Sequence, residues 1–258
     1  TGGGKCPGKK LTMKNTVQEN QALAAAQTTA RVDIYTSIHK ALRALMADTL
    51  VAVGRVDPGD TADLTATGER VMQLLDFCVA HLGHENTFVH TAIEARALGA
   101  SALIGHEHDE HLQHINSLKG AVATLWSVAA TPDAAPAALD LYRKLALFVA
   151  DNLRHMHTEE TAHNAVLWAR YTDAELLALH DALVASIPPA DMMFTLRWMA
   201  PALNPAERTA LLSDMQAHAP APAFAAALQL VQAHLSAPEW AKLARSLGLP
   251  PAPGLVAA

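Results

Sequence analysis

Hydrophobic residues recur every three or four positions over long stretches of the chain, which is the period of an α-helix. In the segment RVDIYTSIHKALRALMADTL, the positions that keep this spacing are Ile34, Ile38, Leu42, Leu45 and Met46. Three further long stretches repeat the pattern, and short segments rich in glycine and proline separate them. The pattern predicts four long helices, the first beginning at about residue 16 or later and ending near Val53.

Capping residues and helix breakers bound the other three helices. Asp60 or Thr61 is expected to cap the second helix, which ends near Gly99. The third helix covers residues 102–130 and the fourth residues 137–171, and a capping box at Thr172–Glu175 opens a further helix. Because long helices joined by short breaks pack as antiparallel neighbours, the fold class is all-α, an up-and-down four-helix bundle.

The two ends of the chain differ from this central part. Residues 1–15 are rich in glycine and lysine and predict a disordered arm, so the bundle is assigned to residues 16–187. Residues 188–258 predict short C-terminal helices, a helical extension packed on or beside the bundle. Five prolines lie at or near the expected helix starts: Pro188, Pro201, Pro205, Pro220 and Pro238.

Composition narrows the class of protein. Half of the residues are hydrophobic and only 5% are aromatic, which favours helix over sheet. The net charge of -6, without a basic stripe, argues against a nucleic-acid partner. No apolar run reaches the ~18 residues of a membrane span, so no membrane association and a cytoplasmic location are expected. Cys6 and Cys78 form no C-x-x-C pair, so neither a disulfide framework nor a thiolate zinc site is expected.

Histidine is the informative residue type. Twelve of the fourteen histidines lie between His39 and His180. His81 and Glu85 are four residues apart, as are His155 and Glu159, so each pair lies on one face of its helix. Two helices that each carry H-x-x-x-E can direct imidazoles and carboxylates to one point, which is how helical bundles form dinuclear metal sites.

The distance of each histidine from the nearest helix break adds further candidates to the two H-x-x-x-E motifs. His108 and His155 are about equally far from the break at Pro132, and His39 and His81 are about equally far from Asp60, so at ~1.5 Å per residue they lie at similar heights in a bundle. The candidate metal ligands are therefore His39, His81, Glu85, His108, His111, His155 and Glu159. Mixed imidazole and carboxylate ligands suit iron or manganese, and also zinc.

Each residue also has an ordinary structural interpretation. An isolated H-x-x-x-E is commonly a solvent-exposed i,i+4 pair, and His39 alone would be a histidine at the edge of the core. His106 and His114 are expected to face solvent, His84 and His157 to lie at the surface or behind the ligands, and His163 and His180 to lie at the surface. His90 and Glu94 form a rival i,i+4 pair.

Four segments resemble the helices of hemerythrin-like (HHE cation-binding) domains: DIYTSIHKALR, HLGHENTFVHTAIEAR, EHDEHLQHINSL and RHMHTEETAHNAVLWARYTDAELLALH. The resemblance covers about Val32 to Ile187 and implies a four-helix bundle that holds a non-haem di-iron centre. It implies cofactor iron as two ions, with or without an oxo or hydroxo bridge. The implied imidazole ligands are His39, His81, His108 and His155, and the implied bridging carboxylates are Glu85 and Glu159.

Two departures separate this chain from the respiratory hemerythrins. Those proteins carry a histidine four residues before the one matching His108, where this chain has Ile104. They also use an aspartate five residues after the last histidine, where Glu159 at four fits better and Glu160 is the alternative. Both changes resemble the regulatory branch, such as eukaryotic iron-sensing F-box proteins. One iron would then lack a histidine, or be completed by His111, Glu107 or water.

Three functions follow as expectations. The first is a di-iron protein that binds or senses O₂, iron or redox state, with O₂, another small diatomic or peroxide as its ligand. The second is a di-iron oxidoreductase acting on peroxide, O₂ or nitric oxide, although the chain offers no motif for an electron-donating cofactor. The third is a metal-stabilised helical interaction module. Whether the protein is an enzyme stays open at this point.

Overall fold

A computed structural model describes residues 31–249, and within that range every regular element is helical. The predicted arm at residues 1–15 lies outside the described residues. The elements are α1 (Thr36–Gly54), α2 (Thr61–His84), the π-helical segment π1 (Glu85–His90), α3 (Thr91–Arg96), α4 (Ala102–Ser127), α5 (Ala134–Thr158), the π-helical segment π2 (Glu159–His163), α6 (Asn164–Arg170), α7 (Asp173–Ala185), α8 (Pro189–Ala202), α9 (Pro205–His218), α10 (Ala221–His234) and α11 (Ala237–Ser246). The predicted all-α class is confirmed.

Four rods form the bundle. The first is α1 and the third is α4, whereas the second combines α2, π1 and α3, and the fourth combines α5, π2 and α6. The backbone keeps right-handed helical angles through both π-helical segments, so each composite rod is continuous. Each rod packs against two others in a closed ring, as expected of a bundle with short connections.

Local sequence signals explain several helix starts. Asp60 caps α2 by accepting hydrogen bonds from the backbone N–H groups of Ala62 and Asp63, and the predicted capping box of α7 at Thr172 is present. Gly99 has a φ of 80° but lies in the turn after α3 rather than directly at its end. Pro201 was expected near a helix start and lies instead in the last turn of α8.

The apolar core of the bundle is divided into two parts. The larger cluster contains Leu42 of α1, Cys78 of α2 and Met156 of α5, whereas a smaller cluster contains Tyr35 and Val89. Along the sequence, His39, Glu85 and Glu159 lie between residues of the two clusters, and His81 and His155 directly precede the last residues of the larger cluster on their rods. The polar side chains are therefore held in a slab with apolar packing on both sides.

The C-terminal helices have a small core of their own and also pack on the bundle. Helix α8 lies against α1, and its Phe194 and Trp198 join the edge of the larger bundle core. The Phe194 ring meets the ring of Phe77 edge-on, with centroids 5.4 Å apart. Among the described helices, none is both long enough and apolar enough to cross a membrane.

Candidate metal centre

Four histidines and two glutamates converge between the rods. His39 comes from α1 and His108 from α4, while His81 and His155 lie in the last turns of α2 and α5. Each glutamate is the first residue of a π-helical segment, Glu85 in π1 and Glu159 in π2. All six side chains are buried except that of His81, which is 11% exposed.

The two carboxylates divide the histidines into two pairs. Glu85 Oε1 lies 3.1 Å from His81 Nε2 and 3.5 Å from His39 Nε2, and its Oε2 lies 3.5 Å from His108 Nε2. Glu159 Oε2 lies 3.5 Å from His39 Nε2, and its Oε1 lies 3.3 Å from His155 Nε2 and 3.5 Å from His108 Nε2. Each carboxylate therefore presents one oxygen to the His39–His81 pair and the other to the His108–His155 pair.

The inward-facing atoms fit cations. Within residues 31–249, the four carboxylate oxygens of Glu85 and Glu159 and the Nε2 atoms of His39 and His81 are buried without a hydrogen-bond partner. Leaving buried polar atoms unpaired is costly, and for charged groups more so. In two groups of residues, one ligand atom of each residue lies within 4.8 Å of those of the others, close enough to share a metal ion. The groups are Glu85, His108, His155 and Glu159, and His39, His81 and Glu85. Metal ions between the pairs would satisfy these atoms.

Polar partners outside the centre orient three of the imidazoles. The Nδ1–H groups of these rings donate from His39 to Glu160 (3.1 Å), from His108 to Asn86 (2.8 Å) and from His155 to Glu107 (2.7 Å). A proton on Nδ1 leaves the lone pair of Nε2 directed at the carboxylates, as metal-binding histidines require. Glu107 and Glu160, both considered as ligands from sequence, contact the outer nitrogens instead.

The histidines and glutamates of the centre shift one another's pKa values. Burial opposes charge on His39, but the hydrogen bond to Glu160 and the nearby carboxylates of Glu85 and Glu159 outweigh it and raise the pKa of His39 to about 9. Burial likewise opposes ionisation of Glu85, yet His81 and His39 hold its pKa well below the usual range. For Glu160, hydrogen bonds from His39 and Arg43 outweigh burial and lower its pKa to about 2. The centre thus holds ionised carboxylates.

His111 lies apart from the other predicted ligands. It is buried, with its ring centroid 4.6 Å from that of His155 and 6.1 Å from that of Phe148. None of its nitrogens lies within 4.0 Å of a carboxylate oxygen in the described part of the chain. Burial lowers the pKa of His111 to about 3, which keeps the ring neutral. Its role as a ligand stays a prediction.

Two histidines beside the centre were underestimated from sequence. His163 was expected at the surface, which is wrong, because only 2% of it is exposed, and His90 is 7% exposed. Burial lowers the pKa of His163, and it lowers that of His90 to about 4. His163 follows Glu159 by four residues, so extending the motif to H-x-x-x-E-x-x-x-H would have indicated it. His90 follows Glu85 by five, a spacing that α-helical periodicity does not bring to the same face.

Glu94 of the rival pair and the remaining histidines contribute no donor to the metal-binding groups found in residues 31–249. Glu94 accepts hydrogen bonds from Gly99 and Ser101 in the turn before α4 rather than pairing with His90. His84 is half-buried. The exposed histidines include four named in the sequence analysis, His106, His114, His157 and His180.

Comparison with known proteins agrees with this geometry. The model of the hemerythrin HHE cation binding domain matches residues 30–163, just over half of the chain. This range contains all four rods up to the end of π2, and with them every side chain of the centre. No match was found among curated proteins or solved structures. The chain therefore belongs to the hemerythrin HHE cation-binding family, whose bundle here carries a buried His/Glu cluster able to hold metal ions.

Proposed function

We propose that this chain is a non-haem di-iron protein that binds or senses O₂ or another small diatomic ligand. The observation that carries the proposal is the division of each carboxylate between two histidine pairs. Glu85 and Glu159 each offer one oxygen to His39 and the other to His108. Two carboxylates in this arrangement can bridge two ions, as in other helical-bundle metal proteins.

The donor set supports iron. At one position His108 and His155 meet both carboxylates, and at the other His39 and His81 meet Glu85. Glu159 Oε2 lies 3.5 Å from His39 Nε2 as well. These are the mixed nitrogen and oxygen ligands that iron accepts, and neither group contains a thiolate. Glu107 and Glu160 add negative charge just outside, through hydrogen bonds to His155 and His39. Because Glu160 is also paired with Arg43, the remaining carboxylates, Glu85, Glu159 and Glu107, offset most of the charge of two divalent ions.

The surroundings of the two proposed iron positions favour a small ligand over a large substrate. The ligating side chains would leave coordination positions free on both ions, because the chain supplies at most four donors at either position. The apolar clusters on both sides of the slab, which include Tyr35, Val89 and Met156, exclude large substrates. Iron bound here would supply redox chemistry and reversible binding of a small molecule, while the chain's own residues hold the ligand geometry and limit access.

Metal content and absorption test the proposal together. The full chain, loaded with ferrous iron under argon and freed of excess metal, should retain close to two irons and develop charge-transfer absorption that changes on exposure to air. A stable change supports a binding or sensing function, whereas continuous consumption of added peroxide would support the oxidoreductase alternative. No retained iron after anaerobic loading would overturn the di-iron assignment.

Variants make the test specific to these side chains. His155→Ala and Glu159→Ala should each lose bound iron and lower the melting temperature, because metal binding and folding are coupled when ligands are buried. His180→Ala is the matched control, since His180 is exposed on α7, and it should change neither. Full iron retention by the His155 variant would contradict the ligand assignment.

A further inference from the structure

A third group of donors adjoins the centre. One ligand atom each of His90, His163 and Glu159 lie within 4.8 Å of one another, and all three residues are buried. In the part of the chain that the structure describes, the Nε2 atoms of His90 and His163 are buried and have no hydrogen-bond partner. The proposed dinuclear centre uses Glu159 but neither of these imidazoles.

Neighbouring rings fix the orientation of the two imidazoles. The His90 ring stacks on that of His108, with centroids 4.8 Å apart and planes 13° apart, and meets the His163 ring edge-on at 5.3 Å. His163 Nδ1 shares a hydrogen bond of 3.1 Å with the Tyr35 hydroxyl. When Nδ1–H donates to that oxygen, His163 Nε2 keeps its lone pair for a metal.

We propose that His90, His163 and Glu159 form a third metal position, beside the dinuclear centre and joined to it through Glu159. The proposal rests on the proposed function only in that Glu159 is shared. Two imidazoles and one carboxylate form the donor set that non-haem proteins use for ferrous iron with open coordination positions. The position should therefore take a divalent transition-metal ion such as Fe²⁺, Co²⁺ or Zn²⁺.

The third ion should bind more weakly than the first two. It receives only three donors from the chain, and one of them already bridges the pair. It also adds positive charge within a few ångströms of two other cations, which is unfavourable in a buried site. We expect its dissociation constant to be at least about tenfold higher, a difference of about 1.4 kcal/mol, so ordinary desalting should remove it.

Titration of the metal-free full chain with Co²⁺ tests this position. Calorimetry and native mass spectrometry should find two tight equivalents and a third, weaker one. The double variant His90→Gln/His163→Gln should take up only two, with the first two affinities changed less than about threefold. The control His157→Gln/His180→Gln replaces two exposed histidines and should still take up three. Circular dichroism of each metal-free variant checks the fold, and His90→Gln alone serves if the double variant does not fold.

The outcomes separate the two proposals. Two equivalents in the parent chain, or three in the His90→Gln/His163→Gln variant, would overturn the third position and leave the dinuclear centre untouched. Loss of only the weak equivalent in that variant supports the third position. If instead His155→Ala keeps both tight equivalents, the dinuclear centre fails, whatever the result for the weaker ion.

Discussion

Side chains just outside the centre decide the protonation of the side chains inside it. His155 is fixed by Glu107, His108 by Asn86 and His39 by Glu160, in each case through Nδ1. Without such a partner an imidazole can rotate or carry its proton on Nε2, and it then presents a donor to the metal position. The arrangement explains why charged residues that do not face the centre should still govern its affinity.

Replacing Glu107 with glutamine tests this role. The amide oxygen of Glu107→Gln can still accept from His155, but more weakly than a carboxylate, so metal affinity should fall about tenfold, near the lower end of effects from outer partners. Competition with a chromophoric chelator measures this change. Glu110→Gln is the control, because Glu110 is an exposed carboxylate on the same helix. Equal affinity in both variants would show that Glu107 does not orient His155.

The two π-helical segments shape the centre at the level of elements. Both begin at the glutamate of an H-x-x-x-E motif, so the local helix widens where the carboxylate turns inward. In an α-helix a residue five positions on lies towards the opposite face, whereas a π-helix closes its hydrogen bonds between residues i and i+5. This widening accounts for His90 lying beside the centre together with His163, and π-helical turns are frequent at functional sites.

The turn between α3 and α4 provides a pH-dependent prediction. Hydrogen bonds from the backbone N–H of Gly99 and from the N–H and hydroxyl of Ser101 lower the pKa of Glu94 to about 2, below its ordinary value of 4.5. Because the folded pKa is the lower one, the ionised carboxylate stabilises the fold above about pH 4.5, and this contribution is lost as the pH falls towards 2.

Glu94→Gln should therefore lower the melting temperature at pH 7, and the difference from the parent chain should shrink between pH 5 and pH 2. Thermal unfolding of the metal-free protein, followed by circular dichroism across this range, measures it. Glu69→Gln, at an exposed position on α2, should show little difference at any pH. A deficit of the Glu94 variant that stays constant down to pH 2 would contradict the carboxylate's role.

At the scale of the whole molecule, the C-terminal helices support the rod that carries His39. Phe194 and Trp198 of α8 pack at the edge of the bundle core, and Phe194 contacts Phe77 of α2. Lys40, the residue after His39, donates from Nζ to both carboxylate oxygens of Glu207 on α9. Since that ion pair is about one-third exposed, we assign the main contribution to the apolar contact.

Phe194→Ala should lower the free energy of unfolding by about 1–2 kcal/mol, less than the about 3–5 kcal/mol of a fully buried phenylalanine because Phe194 is only half-buried. Chemical denaturation of the metal-free full chain measures the change. Leu177→Ala is the control, since Leu177 is 50% exposed, and it should change the stability by less than about 0.5 kcal/mol. Equal effects of the two variants would mean that α8 does not stabilise the bundle.

Structural features that depend on residues close together in the sequence could be predicted. The helical period gave the four rods, and the side chains at Asp60 and Thr172 gave two helix starts, because capping involves backbone groups only two or three residues away. The H-x-x-x-E motifs likewise place an imidazole and a carboxylate on one face through local geometry alone. Equal distances from the turns then placed His39 level with His81, and His108 level with His155.

Tertiary structure alone decided what surrounds those side chains. Sequence left Glu107, Glu160 and His111 as alternatives for completing the centre, and the structure directs the two glutamates to the outer nitrogens of His155 and His39. It also buries His163, which the sequence analysis placed at the surface. These outcomes depend on how far each rod rotates about its axis and on the two π-helical turns, and packing between distant segments sets both. The sequence by itself therefore determined the rods and the faces that carry the histidines and carboxylates, while the packing of the rods determined which atoms meet.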